Sequence, residues 1–132
     1  MVIGIAGLYL KGALFATHPA AIAFQAAMFA LMVWSRIVFG RRSFHPAADP
    51  TPGGLVTTGP YAYLRHPIYA AIIHFAWAGA LSHFSWSVLA YAETVTAGGF
   101  IRMNIEEYLL KREYPEYAAY KRRAKKLVPF VY

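Results

Sequence analysis

The chain has 132 residues, of which 58% are hydrophobic and only 14% are charged. A soluble domain usually carries about a quarter charged residues, so this composition argues against a soluble protein and indicates that lipid solvates much of the surface. Lys and Arg outnumber Asp and Glu by 13 to 6, and because the basic residues flank apolar runs, an anionic membrane leaflet suits them better than nucleic acid. The absence of cysteine excludes disulfides, thiolate metal sites and a cysteine nucleophile.

Two apolar segments open the chain. Residues 1–17 are apolar apart from Lys11, and we expect a short, tilted first span, with a helix lying in the interface as the alternative. They lack the features of a signal peptide, so we expect them to remain in the mature protein. Pro19 suits the first turn of a second helix. Only three polar residues interrupt the apolar run over 20–39, which matches the roughly 20 residues that cross a bilayer core.

A polar loop and a helical hairpin follow. Residues 40–60 are so rich in Pro and Gly that they predict an aqueous loop, and its length indicates a function. We predict a third helix over residues 67–81, a tight turn over 82–85, and a fourth helix from about 86 to 101 that can continue past residue 106. Residues 108–126 are rich in Tyr, Lys, Arg and Glu, which is typical of an amphipathic helix on the membrane surface.

The basic residues orient these helices. Twelve of the 13 Lys and Arg fall on one side of the predicted spans, and Lys11 alone falls on the other. By the positive-inside rule, the loop over residues 40–66 and the C-terminal tail are cytoplasmic, and we expect a prokaryotic cell membrane. The sequence therefore predicts a single domain over residues 1–132: an all-α, polytopic integral membrane helical bundle of about four transmembrane helices plus a cytoplasmic amphipathic C-terminal helix.

The strongest local motif covers residues 55–69 and reads LVTTGPYAYLRHPIY. Pro67 begins a helix whose first N–H groups can face an anion, and Arg65 and His66 add cationic or donor groups at that end. Three tyrosines in the motif offer flat faces for an adenine ring or a sulfonium. The alternative is a membrane-interface anchor, since Tyr, Arg and His are common at headgroup depth, and composition alone weighs the two about equally.

A second motif covers residues 102–107 and reads RMNIEE. Arg102 and Glu106 are four residues apart and therefore share one face of a helix. The arginine can bind an anionic substrate group beside a carboxylate that binds an amine or ribose hydroxyls. The alternative is a modest surface ion pair at the end of a span.

The two motifs together, in this order and separation, resemble the isoprenylcysteine carboxyl methyltransferase family and its relatives, which include phospholipid methyltransferases. The resemblance covers about the last 80 residues. The features that carry it are the 55–69 motif, the hairpin 68–105, Glu106-Glu107, the pattern Tyr117-x-x-Tyr120-x-x-Arg123, and Pro129-Phe130. The sequence departs from the family at Ala71, where Gly is frequent, and at Tyr114-Pro115, where the family has Phe-Gly.

The resemblance implies an S-adenosyl-L-methionine-dependent methyltransferase that releases S-adenosyl-L-homocysteine, with its cofactor-binding part at about residues 53–126. It implies as partners a lipophilic small-molecule or prenylated substrate and membrane lipids. Arg102 corresponds to the arginine that lies on the substrate side in this family. It is the catalytic candidate, and its expected role is to position a substrate carboxylate. The expected cofactor-binding residues are Leu55, Val56, Tyr61, Arg65, His66, Pro67, Ile68, Tyr69, Glu106 and Glu107.

Several acceptors remain open at this point. Carboxyl O-methylation of an isoprenylcysteine-like group is favoured, since a carboxylate is already nucleophilic and needs only to be held in line with the donor. A phospholipid amine would need a base such as Glu106, Glu107 or His66, and a small thiol is a further alternative. A sterol-type membrane reductase and a non-enzymatic membrane scaffold are alternatives of other classes.

Two further polar features lie outside the motifs. Glu93 falls within the fourth predicted span, where a carboxylate is either functional or protonated and bonded to a neighbour such as Gln25 or His74. The histidines show no metal-ligand spacing such as His-x-x-x-His, so we predict no metal site.

Overall fold

The computed structural model describes residues 1–40 and 54–128, and within them the chain forms helices and no strand. The predicted all-α class is therefore confirmed for these residues. In chain order the elements are α1 (Val2–Leu10), α2 (Pro19–Phe39), a 3-10 turn (Gly59–Ala62), α3 (Pro67–Ser82), α4 (Trp86–Glu113) and α5 (Tyr117–Arg123).

Among the described residues, α2 is the one helix that is both long and apolar enough to cross a membrane. Its 21 residues give a length of about 31 Å, which matches a hydrocarbon core of roughly 30 Å. The apolar helix α3 is shorter, with 16 residues. The structure thus gives one candidate span, and the other spans of the predicted four-helix bundle remain a prediction.

The first helix is shorter than we expected. It ends at Leu10 after nine residues, and a length of about 14 Å cannot cross a bilayer core. Gly12 follows with φ +65, a left-handed conformation that favours glycine and breaks the helix. A continuous helical span over residues 1–17 is therefore not observed.

A buried glutamine supports the irregular segment after α1. The side chain of Gln25 accepts a hydrogen bond from the Ala16 N–H and donates to the carbonyl oxygens of Leu14 and Phe75, each at 2.9 Å. Backbone groups of an irregular segment lack ladder partners, so these bonds satisfy groups that burial would otherwise penalise. The polar atoms of Gln25 are thus bonded to backbone, while Glu93, one of its expected neighbours, is exposed on α4.

The chain divides into two units. The first comprises Met1–Ala30 and Ala71–Phe100, and the second comprises Leu31–Ala70 and Ile101–Tyr132. In the first unit, α1 packs closely on α4, because Gly4 and Gly7 let its backbone approach Tyr91. The second unit contains both sequence motifs.

The bounds of the predicted amphipathic C-terminal helix over residues 108–126 are wrong, because this range is divided between the end of α4 and α5. The fourth helix continues past residue 106, as we expected, and ends at Glu113, and α5 then begins at Tyr117. Pro115 lies between them, and proline has no N–H to continue the helical bonding.

Some predictions fall outside the described residues. Most of the expected loop over 40–60, including Arg41 and Arg42, lies there, as does Pro129-Phe130. The described part of that loop before the 3-10 turn, residues 54–58, is not helical, in agreement with its Pro and Gly content.

Candidate functional site

The first motif is shaped by a glycine at its turn. Gly59 has φ +56, and an added Cβ would press against the side chain of Val38, so the position favours glycine in both respects. The 3-10 turn that begins there buries Tyr61, whose ring packs on Phe39 with centroids 5.4 Å apart. Burial raises the pKa of Tyr61, so its phenol stays neutral at pH 7.

The C-terminal segment, residues 117–127, holds the backbone of this motif. The Arg65 N–H donates to the Lys125 carbonyl at 2.7 Å, and the Lys125 N–H donates to the Tyr63 carbonyl at 2.9 Å. The Tyr120 hydroxyl donates to the Tyr61 carbonyl at 2.7 Å. Segments far apart in the sequence are therefore joined by direct backbone contacts beside the predicted cofactor residues.

A buried ionic cluster surrounds Glu107, on the polar part of α4 beyond the predicted span. Its carboxylate lies 3.0 Å from Arg65 Nε, 3.2 Å from His66 Nε2, 3.3 Å from Lys121 Nζ and 4.0 Å from Lys126 Nζ. Burial by itself raises the pKa of Glu107, but the hydrogen bond from His66 and the charge of Arg65 outweigh it and hold the pKa well below its usual range. Glu107 is therefore an anion whose oxygens already have protein partners.

His66 lies between two carboxylates. Its ring is buried, with Nε2 at 3.2 Å from Glu107 and Nδ1 at 3.5 Å from Glu106. An ionised carboxylate only accepts hydrogen bonds, so Nε2 donates to Glu107, while Nδ1 faces Glu106. The orientation of His66 is therefore fixed from the side of Glu107.

Tyr69 joins the two ends of the second motif. Its hydroxyl donates to Glu106 Oε1 and accepts a hydrogen bond from Arg102 Nε at 3.0 Å. Arg102 and Glu106 lie four residues apart on α4, as the sequence predicts, but the phenol from α3 connects them. All three side chains keep partial exposure, so a ligand could reach a cation, a phenol and a carboxylate at one place.

The remaining predicted cofactor residues pack against neighbouring elements, and their contact with a cofactor stays a prediction. Leu55 is half-buried and packs against the cluster of Tyr117, Tyr120 and Ala124. Val56 and Ile68 are half-buried, and Pro67 is buried at the start of α3. The structure thus brings His66, Tyr69, Arg102 and Glu106 together, while Arg65 and Glu107 are paired with each other and Tyr61 is placed by its own turn.

Sequence reasoning missed the supporting residues. Lys126 donates to Asn104 Oδ1 at 2.6 Å, and burial lowers its pKa while Glu107 acts in the opposite direction. Tyr120 belonged to the Tyr-x-x-Tyr pattern, but that spacing indicated no partner for its hydroxyl. Among residues 1–40 and 54–128, no group of three or more His, Cys, Asp or Glu side chains could hold a metal ion.

Comparisons with known proteins give a family and one relative. The family model described as phospholipid methyltransferase matches residues 17–117. The "Nickel-cobalt-cadmium resistance protein NccN" of Alcaligenes xylosoxydans xylosoxydans is 36% identical over 78 residues, which cover 57% of this chain and 36% of the relative. The match thus spans little more than a third of that curated protein. No solved structure matches the chain.

Proposed function

Because the chain belongs to the phospholipid methyltransferase family, a family of membrane methyltransferases, we propose that it transfers a methyl group from S-adenosyl-L-methionine to a lipophilic substrate. The observation that carries this proposal is the Arg102–Tyr69–Glu106 chain of hydrogen bonds beside His66. Family membership also favours methyl transfer over the reductase and the scaffold.

The chemistry of these groups suits the cofactor. Glu106 is partly exposed and can accept hydrogen bonds from an ammonium group or ribose hydroxyls. At the start of α3, the N–H groups of Ile68 and Tyr69 precede the bond from the Ala70 N–H to the His66 carbonyl, and such N-terminal N–H groups suit the cofactor carboxylate. Tyr61 and Tyr69 supply aromatic rings that attract a sulfonium.

For the acceptor we propose a carboxylate, such as that of an isoprenylcysteine-like group. When bound, S-adenosyl-L-methionine would supply an activated methyl group, which one oxygen of the acceptor carboxylate would take while the thioether leaves. This displacement needs no base, because the nucleophile is already ionised at pH 7. Arg102 would hold the other oxygen, and alignment of donor and acceptor supplies most of the catalysis.

A phospholipid amine is the second candidate acceptor. An ammonium must lose a proton before it can attack, so this reaction needs a base within hydrogen-bond reach. The observation that favours it is the approach of His66 Nδ1 to Glu106 at 3.5 Å, which places an imidazole and a carboxylate side by side.

Ligand binding tests the cofactor. Isothermal titration of the detergent-solubilised protein with S-adenosyl-L-homocysteine should show binding that His66→Ala and Glu106→Gln weaken at least about tenfold, since each removes a polar group of the proposed cofactor site. Glu113→Gln is the matched control, because Glu113 is exposed on the same helix. An unmodified protein that fails to bind, or binds a nicotinamide nucleotide more tightly, would refute the proposal.

Transfer of a labelled methyl group tests the acceptor. A prenylcysteine analogue and phosphatidylethanolamine are offered to the same preparation, and we expect label on the prenylcysteine. Arg102→Ala should abolish methylation of the prenylcysteine analogue while S-adenosyl-L-homocysteine still binds. Label on the phosphatidylethanolamine alone would decide for the amine, and unchanged carboxylate methylation in Arg102→Ala would contradict the role of the arginine.

The cytoplasmic orientation of the site is also a proposal. It follows from the positive-inside rule, because the side of the predicted spans that carries the site also carries 12 of the 13 Lys and Arg. The same charges would attract anionic headgroups of the inner leaflet. Since the chain has no cysteine, single cysteines can be introduced without background. In intact cells, a membrane-impermeant maleimide should label Ser85→Cys and spare Glu113→Cys, and the reverse pattern would contradict the orientation.

A further inference from the structure

Tyr120 makes a buried contact whose partner is backbone rather than another side chain. It is 6% exposed on α5, and its hydroxyl lies 2.7 Å from the Tyr61 carbonyl and 3.4 Å from the Leu64 carbonyl. One donor thus serves the two carbonyls on either side of the end of the 3-10 turn. Burial raises the pKa of Tyr120, so the hydroxyl keeps the proton that it donates.

The same short helix holds the next residues of the motif. Arg65 Nη1 donates to the Ala124 carbonyl at 2.6 Å and lies 3.3 Å from the Lys121 carbonyl, both at the end of α5. A cation is favoured at a helix C-terminus, where carbonyl groups lack helical partners. Leu64 and Lys125 also form a parallel bridge, so residues 61–65 bond to α5 and its end through side chains and backbone alike.

Neither of these two segments has much structure of its own. The helix α5 has seven residues, and an isolated helix shorter than about 12 residues is marginal in water. The motif between residues 54 and 66 contains one 3-10 turn and otherwise irregular backbone. Each segment is therefore ordered through its contacts with the other, and through the Lys121 and Lys126 contacts with α4.

These contacts fix the positions of Tyr61 and of His66, which directly follows Arg65. We infer that Tyr120 is a positioning residue that sets cofactor affinity by holding the Tyr61 turn, without touching the cofactor. For the identity of the cofactor this inference rests on the proposed function. The basic composition of α5 indicated only a role in membrane attachment. The inference gives α5 a second role, which is to position residues of the site.

The test removes a single oxygen. Tyr120→Phe keeps the ring that packs edge-to-face on Tyr117, and Tyr108→Phe is the matched control, since Tyr108 is 60% exposed on α4. We expect Tyr120→Phe to raise the dissociation constant of S-adenosyl-L-homocysteine by about threefold to tenfold, as the loss of one buried hydrogen bond allows. The turnover at saturating donor should change less than twofold, since the reacting groups are untouched.

Hydrogen exchange gives a second reading that does not depend on turnover. The Arg65 amide, bonded to Lys125, should exchange faster in Tyr120→Phe than in Tyr108→Phe, and bound S-adenosyl-L-homocysteine should reduce the difference. Should Tyr120→Phe not fold, Arg65→Lys removes the bonds to the end of α5 while keeping the charge beside Glu107, and the same weakening is expected.

The outcomes separate the two proposals. Equal affinities for Tyr120→Phe and Tyr108→Phe, or a lower unfolding temperature with unchanged affinity, would overturn the positioning role and leave the proposed function intact. Failure of the unmodified protein to bind S-adenosyl-L-homocysteine would overturn the proposed function, and the inference with it. Weaker binding with normal turnover at saturation supports both.

Discussion

Glu107→Gln is the substitution for which the structure gives the largest expected effect. The glutamine keeps the volume and one acceptor oxygen, but it removes the negative charge from a site whose side chain is 7% exposed. Arg65 and Lys126, with side chains 9% and 10% exposed, then share a buried site without that counter-charge. Lys121 is 41% exposed and adds little, because solvent screens its charge.

The magnitude follows from the burial. Breaking a buried ion pair by removing one partner costs about 3–5 kcal/mol, and the retained acceptor oxygen places this variant near the lower end, at about 3 kcal/mol. The sign with pH is also fixed. The pKa of Glu107 is lower in the folded protein than its ordinary value of 4.5, so its contribution is complete above that value and is lost as the pH falls towards the folded pKa. Below 4.5 the loss is about 1.4 kcal/mol per pH unit, or about 2 kcal/mol by pH 3.

Equilibrium unfolding in mixed micelles with increasing dodecyl sulfate, followed by tryptophan fluorescence, measures the free energy of unfolding of both proteins at each pH. The unmodified protein should be more stable than Glu107→Gln by about 3 kcal/mol at pH 7, and the gap should narrow on acidification. Glu113→Gln, at an exposed position of the same helix, should show neither effect. A gap below about 1 kcal/mol at pH 7, or a gap that does not narrow by pH 3, would refute the assignment of Glu107 as a buried anion.

Three other substitutions test separate parts of the structure. Tyr69→Phe should weaken S-adenosyl-L-homocysteine binding severalfold in titration calorimetry with little change in unfolding temperature, because it removes the hydroxyl that donates a hydrogen bond to Glu106. Unchanged binding would place the phenol outside the site. Gln25→Leu should lower the free energy of unfolding by about 1–3 kcal/mol, since three backbone groups lose their partner, and equal stability would mean that water replaces the amide. Gly79→Ala should cost about 1–3 kcal/mol in the same unfolding assay, because the new methyl group meets two backbone carbonyl oxygens; an unaffected protein would show that this contact can relax.

The helices and their order could largely be predicted from the sequence. The apolar run over residues 20–39 has the length of a span, Pro67 begins α3, and α4 continues past residue 106. These features are local: a run of apolar side chains and a missing proline N–H act within one or two helical turns. The same locality explains the shared face of Arg102 and Glu106.

Family membership was also decided by the sequence. The resemblance to the isoprenylcysteine carboxyl methyltransferases is confirmed, because the phospholipid methyltransferase family that matches residues 17–117 includes them. Motif residues and their spacing are properties of the chain itself, so no contact had to be known. The methyl acceptor is decided by the shape and chemistry of a substrate site, and it stays a proposal.

The partners of the polar side chains were decided by tertiary structure alone. Arg65 and Glu107 were predicted as cofactor contacts, yet they pair with each other across 42 positions of the sequence. Tyr120 reaches the Tyr61 carbonyl across 59 positions, and Arg65 reaches the end of α5 across a similar distance. No periodicity or spacing encodes such a contact, since it exists only once α5 has folded against the motif.

The N-terminal segment shows the same division. Its apolar composition predicted a span, whereas α1 stops at Leu10 because Gly12 adopts a left-handed conformation and Gln25 binds the backbone that follows. Sequence by itself thus determined which segments are apolar, where helices can begin, and to which family the chain belongs. Tertiary structure decided which buried polar groups meet, because the free energy of a buried charge or carbonyl depends on the partner that folding brings to it.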